Sequence, residues 1–191
     1  MDINIADFRE NLSTVNEVIY FDKSEYLREK TSNPLIINHV ISLAEGLLKD
    51  GNKNDKYFLY GTLGNLYRIN GQPQKAIHCL TYCLTPAVEE RNPTREIVSL
   101  NRLGEAFKYD RNHKKALDHF NKALGMYEAH KIDEYLDFVL QHKGKCLMEL
   151  AKLNEAEDCF QKALTLRKQK GNHSLIDSTE QAIVLVREMQ R

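Results

Sequence analysis

The sequence predicts an all-α protein assembled as a stack of antiparallel helical hairpins. It contains only nine Gly and four Pro among 191 residues, which favours long helices over a turn-rich β fold. Glycines recur forty residues apart, at Gly64, Gly104 and Gly144, and a fixed period of this kind is typical of repeat architectures. A stack of repeats explains both the composition and the period.

Each repeat is predicted to contain two helices. In the segment from Lys114 to Leu124, apolar residues recur at three- and four-residue steps, which indicates one apolar helix face. Small residues also follow the forty-residue period, as do large apolar residues. These positions are Ala76, Ala116 and Ala156, then Tyr67, Phe107 and Leu147, then Leu80, Phe120 and Phe160. Small side chains would let two antiparallel helices approach closely, while the large ones fill the space one turn away.

This pattern resembles the tetratricopeptide repeat family. Its motif has a bulky residue, Leu-Gly and an aromatic residue in the first helix, then Ala, an aromatic residue and Ala in the second. The matching positions are Tyr60, Leu63, Gly64, Tyr67, Ala76, Leu80 and Cys83, then Leu100, Leu103, Gly104, Phe107, Ala116, Phe120 and Ala123, then Leu140, Lys143, Gly144, Leu147, Ala156, Phe160 and Ala163. The resemblance implies a right-handed superhelix, a tetratricopeptide-like α-solenoid.

The period departs from the 34 residues usual in this family. The longer unit resembles a long-helix subclass with repeats of about 40 residues, which includes bacterial peptide-pheromone receptors and some eukaryotic scaffold proteins. The predicted parts are 1–55, with N-terminal helices; 56–171, with three repeats at about 57–96, 97–136 and 137–171; and 172–191, a capping helix. A stack needs such a helix to cover its last repeat. One interpretation places a degenerate repeat before residue 55, with Tyr20 and Leu27 on its first helix.

The charge distribution argues against nucleic acid as a partner. The 27 basic and 27 acidic residues give no net charge, whereas nucleic-acid binders usually carry a basic excess. Residues 1–55 are acidic, with six Lys or Arg against ten Asp or Glu, while residues 56–191 hold 21 against 17. The N-terminus has no secretory-signal pattern, and the most apolar stretch is too short and too polar to span a bilayer. We therefore expect a cytoplasmic protein that does not contact membranes.

The cysteines and histidines do not suggest a metal site. Cys79 and Cys83 lie one helical turn apart and close to His78, but a metal needs three or four converging ligands. The position of Cys83 is also the small-residue position of the repeat. We therefore expect no metal and no cofactor. The sequence contains neither a phosphate-cradling glycine loop nor a nucleophile elbow, so the protein is predicted not to be an enzyme.

The resemblance also implies where a partner would bind. In this family the first helices of successive repeats line a concave groove. The residues expected to bind a peptide there are Asn65, Arg68, Asn101, Arg102, Lys108, Gln141, His142 and Lys145. Amide side chains can pair with an extended backbone, and Arg and Lys can hold a carboxylate. The basic residues are expected to form a continuous positive strip, which predicts an acidic or C-terminal peptide segment as ligand, with Phe58, Tyr109 and Phe138 as apolar anchors.

One family-specific comparison complicates this expectation. Family members that clamp a C-terminal carboxylate use Lys and Asn at two positions of the first repeat. Asn65 stands at the Asn position, but Gly61 stands where the Lys belongs. The resemblance therefore does not carry the chaperone-type clamp over to this chain.

Three functions remain open on the sequence alone. The first is a non-catalytic scaffold or adaptor that binds a protein or peptide in the groove. The second is a bacterial-type peptide-signal sensor or regulator that acts on a signalling partner. The third is an enzyme, such as a phosphatase of a response regulator, and it rests on fold-level association alone.

Overall fold

The computed structural model describes residues 4–191. A short N-terminal region precedes a long succession of helices. The elements are α1 (Ile5–Asn11), α2 (Ser13–Asn16), β1 (Ile19–Asp22), a 3-10 helix (Lys23–Glu25), β2 (Arg28–Thr31), α3 (Pro34–Leu47), α4 (Lys53–Ile69), α5 (Pro73–Glu89), α6 (Pro93–Tyr109), α7 (His113–His130), α8 (Leu136–Glu149), α9 (Leu153–Lys170) and α10 (His173–Met189).

Helices α4 to α9 form the predicted α-solenoid, which the structure confirms. Each helix packs against the next, and the repeated glycines lie where paired helices touch. A Cβ atom added to Gly104 would come within 2.5 Å of the Phe120 ring, and one added to Gly144 within 2.6 Å of the Phe160 ring. The glycines are therefore required by the close approach of the two helices in a hairpin.

A regular turn explains the forty-residue period. The turns between successive helices each contain one residue of positive φ, and these residues stand twenty positions apart. They are Gly71, Arg91, Arg111, Lys131, Ala151 and Gly171. Asn92, Asn112 and Asn172 follow such residues directly, and each accepts a hydrogen bond from a backbone N–H in the first turn of the next helix. Two helices and two such turns make one unit of forty residues.

The prediction of a helix containing Tyr20 and Leu27 is wrong. Strands β1 and β2 form an antiparallel β-hairpin, with Ile19 opposite Thr31 and Asp22 opposite Arg28. The side chain of Asp22 accepts a hydrogen bond from the backbone N–H of Ser24 at 2.9 Å, which closes the 3-10 helix at the tip. Tyr26 and Leu27 then adopt φ values of 56° and 59°, which no α-helix tolerates.

Helix α10 covers the last hairpin of the stack. Its residues Ala182, Ile183 and Val186 are buried in one cluster with Phe160 and Leu164 of α9. At the other end, α3 begins with Pro34 after the N-cap Asn33 and packs against α4. No helix in the described part of the chain is long and apolar enough to cross a membrane.

Candidate functional site

The β-hairpin lies on the inner helices α4, α6 and α8, where the groove was expected. Two side chains of these helices hydrogen-bond to the backbone of the hairpin. The Tyr109 hydroxyl accepts from the backbone N–H of Glu29 at 2.6 Å and donates to the carbonyl of Glu29 at 3.2 Å. The Lys145 ammonium donates to the carbonyl of Leu27 at 2.8 Å. Strand β2 is therefore held through its main chain, as an extended peptide would be.

Two ion pairs hold the same strand by its side chains. The Arg28 guanidinium binds both carboxylate oxygens of Glu149, with Nε–Oε1 at 2.8 Å and Nη2–Oε2 at 2.6 Å, and also donates to the Lys108 carbonyl. Glu29 pairs with Arg68 of α4. The bidentate geometry of the first pair fixes the orientation of the strand as well as its position.

Burial and neighbouring charges shift the pKa values of the ionisable groups between the β-hairpin and the inner helices. Burial alone would raise the pKa of the Glu29 carboxyl, but the neighbouring Arg68 charge lowers it below its usual range. For Lys145, burial and the nearby Lys108 charge together lower the pKa to about 7. The pKa of Lys108 is also lowered, mainly by burial. The Glu29 carboxylate is therefore charged at neutral pH, while Lys145 changes its protonation state near pH 7.

The expected positive strip is not open to solvent, so that expectation is wrong. Arg68, Lys108 and Lys145 are 4%, 0% and 5% exposed. The physical reason is that the β-hairpin covers these cations: Glu29 pairs with Arg68, and the Leu27 carbonyl accepts a hydrogen bond from Lys145. Gln141 is also buried, and neither atom of its amide has a hydrogen-bond partner among the described residues.

Part of the concave face stays open beside the hairpin as a cleft of about 320 Å³. Both the stack and the hairpin contribute to its wall. The lining residues are Glu29, Asn65, Arg68, Val98, Asn101, Arg102, Glu105, Tyr135, Phe138 and His142. The structure thus brings the predicted site residues together in one cleft in five cases, Asn65, Arg68, Asn101, Arg102 and His142. Lys108, Gln141 and Lys145 do not line it.

Arg102 is the cation of this cleft that lacks a partner. Within residues 4–191, no carboxylate lies within 4.0 Å of its guanidinium, because Glu105 pairs instead with Arg68 at 3.7 Å. Its Nη1 atom rests against Gly61, where an added Cβ would come within 2.5 Å. The glycine therefore makes room for the arginine, and the partly buried Arg102 side chain occupies the space beside the first repeat.

His142 contributes to the cleft as a neutral side chain. Burial, together with the charges of Lys108 and Lys145, lowers its pKa well below the usual value. Its Nδ1 lies 3.1 Å from Oδ1 of Asn101 and 3.5 Å from Oε2 of Glu105, so Nδ1 carries the hydrogen. The Nε2 atom is then an acceptor, and the Asn101 amide keeps its NH₂ group as a donor.

Sequence reasoning missed the residues that the N-terminal segment contributes, above all Arg28 and Glu29. A signal was present in the complementary charges of the two parts of the chain. Tyr109 was expected as an apolar anchor for a ligand, whereas its hydroxyl binds the hairpin backbone. The described residues contain no group of three or more His, Cys, Asp or Glu placed to hold a metal ion.

The fold and this concave face define an α-helical repeat protein with a polar inner surface. Two models of the tetratricopeptide repeat match the chain, over residues 57–129 and 139–170, which together make up more than half of it. The chain belongs to the tetratricopeptide repeat family. No curated protein matches it.

Solved structures resemble the chain over most of its length. The apo form of RapI superposes with a TM-score of 0.68 at 16% identity, over 96% of this chain and 62% of RapI. Apo PlcR of Bacillus thuringiensis gives 0.64 at 15% identity, over 91% and 69%. The tetratricopeptide domain of Arabidopsis FLU gives 0.56 at 18% identity, over 62% and 99%. The chain thus spans about three fifths of RapI, and at these identities the likeness concerns the fold alone.

Proposed function

We propose that the protein is a non-catalytic binding module that takes an acidic or carboxylate-ended peptide segment of a cytoplasmic partner protein on its concave face. The observation that carries this proposal is the unpaired Arg102 guanidinium in the open cleft. A guanidinium can hold a carboxylate with two parallel hydrogen bonds. The guanidinium of Arg102 also lies against Gly61, the position at which carboxylate-clamping family members have a lysine. Helix α6 therefore supplies a positive charge where the first repeat has none.

The surroundings of Arg102 favour a peptide over a small anion. Asn65 and Asn101 present amides that can pair with a peptide backbone, and the neutral His142 offers an acceptor at Nε2. Phe138 and Tyr135 supply an apolar wall for a side chain next to the carboxylate. The lining charges Arg68, Glu29 and Glu105 pair with one another, so Arg102 is left as the cation available to a ligand, beside neutral polar groups and aromatic rings.

A binding role also agrees with the state of the thiols. All four cysteines are free and buried. Burial raises the pKa of Cys83 to about 12 and those of Cys79 and Cys146 to about 11. At neutral pH these thiols are protonated, and a protonated thiol is a poor nucleophile.

The test is selection from a displayed library of random peptides, followed by calorimetric titration of the selected peptides. We expect carboxylate-bearing peptides with micromolar dissociation constants, weakened by salt because exposed charges are screened over about 8 Å at physiological ionic strength. Arg102→Glu should weaken binding at least tenfold, about 1.4 kcal/mol, without a lower melting temperature. Lys162→Glu, on the exposed surface of α9, is the matched control and should bind normally. Equal affinities for both variants would exclude the cleft as the site.

A further inference from the structure

Strand β2 occupies the floor of the concave face in the manner of a ligand. Tyr109 binds its backbone at Glu29, Lys145 binds the carbonyl of the preceding residue, Leu27, and Arg68 and Glu149 bind its side chains. These four residues come from α4, α6 and α8, the inner helices of three successive hairpins. Side chains that bind backbone groups impose little sequence requirement, so another extended segment could use the same partners.

The hold on the hairpin is mostly polar. Leu27 is 3% exposed and belongs to the apolar cluster that includes α9 and α10, while Ile19 of β1 packs against the cluster that contains Leu59 and Leu63. These two residues are the apolar anchors of the hairpin. The aromatic residues Tyr20, Phe21 and Tyr26 remain more than a third exposed. A two-stranded hairpin is marginally stable by itself. Another carboxylate could take the place of Glu29 on Arg68, whereas the buried Glu149 needs a cation in place of Arg28. A segment that carries both charges could therefore replace the hairpin.

The fit beneath the hairpin is also incomplete. Both polar atoms of the Gln141 amide are buried without a hydrogen-bond partner in the described residues, and so is Nε of Arg68. Nη1 of Arg68 also lacks a hydrogen bond, although it lies 3.7 Å from the Glu105 carboxylate. Buried polar groups without hydrogen bonds are costly. A segment with backbone or carboxylate groups facing Gln141 and Arg68 would satisfy atoms that the hairpin leaves unpaired.

We propose that the N-terminal hairpin is an internal occupant of the concave face and that the partner segment displaces it. This inference rests on the proposed function and specifies its ligand as an extended strand with two carboxylates. One would replace Glu29 on Arg68, the other would bind Arg102, and a cation of the same segment would replace Arg28 on Glu149. The floor and the open cleft are continuous, because Glu29 and Arg68 line both.

The first test measures how firmly the hairpin is held. Hydrogen exchange of the amides of residues 19–31 is compared in the full chain and in two variants. Glu29→Gln removes the charge on Arg68 but keeps the shape, and we expect at least tenfold faster exchange. Glu25→Gln is the matched control, because the ion pair of Glu25 among residues 4–191 is with Lys30 of the same hairpin, and exchange should stay within threefold of the parent. Exchange of these amides at the rate of those in α6 and α8 in all three proteins would overturn the inference.

The second test measures whether the hairpin binds to the protein as a separate peptide. A synthetic peptide of residues 19–32 is titrated into the full-length parent and into the Glu29→Gln protein. We expect at least tenfold tighter binding to the variant, whose own hairpin competes less well, and loss of binding when the peptide itself carries Glu29→Gln. No binding to the Glu29→Gln protein would overturn displacement. If the hairpin peptide does not bind but library-selected acidic peptides bind normally, displacement is excluded and the proposed binding site at Arg102 is still supported. The two proposals can therefore be tested separately.

Discussion

The Arg28 guanidinium in the hairpin and the Glu149 carboxylate at the end of α8 form a bidentate ion pair across 121 positions of sequence. Glu149 is almost fully buried, and its second contact is the His113 ring at 2.7 Å. Burial would raise the pKa of the Glu149 carboxyl, but the hydrogen bonds from Arg28 and the charge of Lys108 lower it. The pair therefore keeps a buried carboxylate ionised.

Removing one partner of this pair should be costly. In Arg28→Ala the Glu149 carboxylate stays buried without its main counter-charge, and we expect a loss of about 3 kcal/mol in the free energy of unfolding. Lys152→Ala, which breaks an exposed pair with Glu155, should cost at most about 1 kcal/mol. Urea unfolding followed by circular dichroism measures both, and equal midpoints would show that the buried pair contributes nothing.

Two glycines in helices should respond in opposite directions to alanine. In Gly104→Ala the new methyl group would overlap the buried Phe120 ring, and we expect a loss of about 2 kcal/mol despite the better helix propensity of alanine. In Gly125→Ala nothing lies within 4 Å of the added Cβ, so stability should rise by about 0.5–1 kcal/mol. Thermal unfolding of the two variants gives the comparison. A gain in both would contradict the close helix contact.

The repeat contacts could be predicted from sequence because they are local and periodic. Gly104 and Phe120 lie sixteen residues apart, and the same steric relation recurs forty residues later at Gly144 and Phe160. The hairpin could not be predicted in this way. Its strands have four residues each, and the left-handed turn at Tyr26 and Leu27 contains neither Gly nor Asn. Apolar spacing there fitted a helix, while the deciding contacts come from helices far along the chain.

The same limit applies to the binding residues. The family resemblance predicted which residues of each first helix face the groove, and this was sufficient to identify Asn65, Arg102 and His142, which line one cleft in the structure. It could not show that Arg68 and Lys145 are covered, because the covering segment lies outside the repeats and binds them through long-range charge and backbone contacts.

Protonation of Lys145 should loosen the fold as the pH falls. Its pKa is about 7 in the folded protein, against about 10.5 for an exposed lysine, so the unfolded chain binds more protons between these values. The free energy of unfolding should therefore rise from pH 7 to pH 8.5, by up to about 1 kcal/mol per pH unit from this group. Well below pH 7 Lys145 is protonated in both states, so its contribution no longer changes with pH. Of the facing groups, Glu29 stays ionised, Arg68 stays charged and His142 stays neutral in this window, while Lys108, whose pKa is also lowered, acts in the same direction as Lys145.

Lys145→Met provides the control for this pH dependence. It removes the titrating amine and keeps most of the apolar side chain, so the slope of stability against pH should become shallower than in the parent. Urea midpoints at pH 7.0, 7.5, 8.0 and 8.5 measure the slope. An unchanged slope in the variant would assign the titration to another group.

Deletion of residues 172–191 should uncover the apolar side of α9. Phe160 and Leu164 would lose their cover from Ile183 and Val186, and we expect dimers or aggregates. Removal of only the last two residues, which are exposed, should leave a monomer. Size-exclusion chromatography with light scattering measures the mass. A monomeric product of unchanged stability after the long deletion would mean that α10 does not act as a cap.

A repeat stack bends through small rotations at each interface between neighbours, so its curvature is normally a sum of local terms. The hairpin adds a long-range constraint, because Glu29 is fixed to α4 and Arg28 to the ends of α6 and α8. It links the inner helices of three repeats across the concave side. While these links are made, the curvature of the superhelix is fixed, and when they are broken the curvature can change. Exchange of the occupant on the inner face would thereby alter the spacing of side chains on the opposite, convex face.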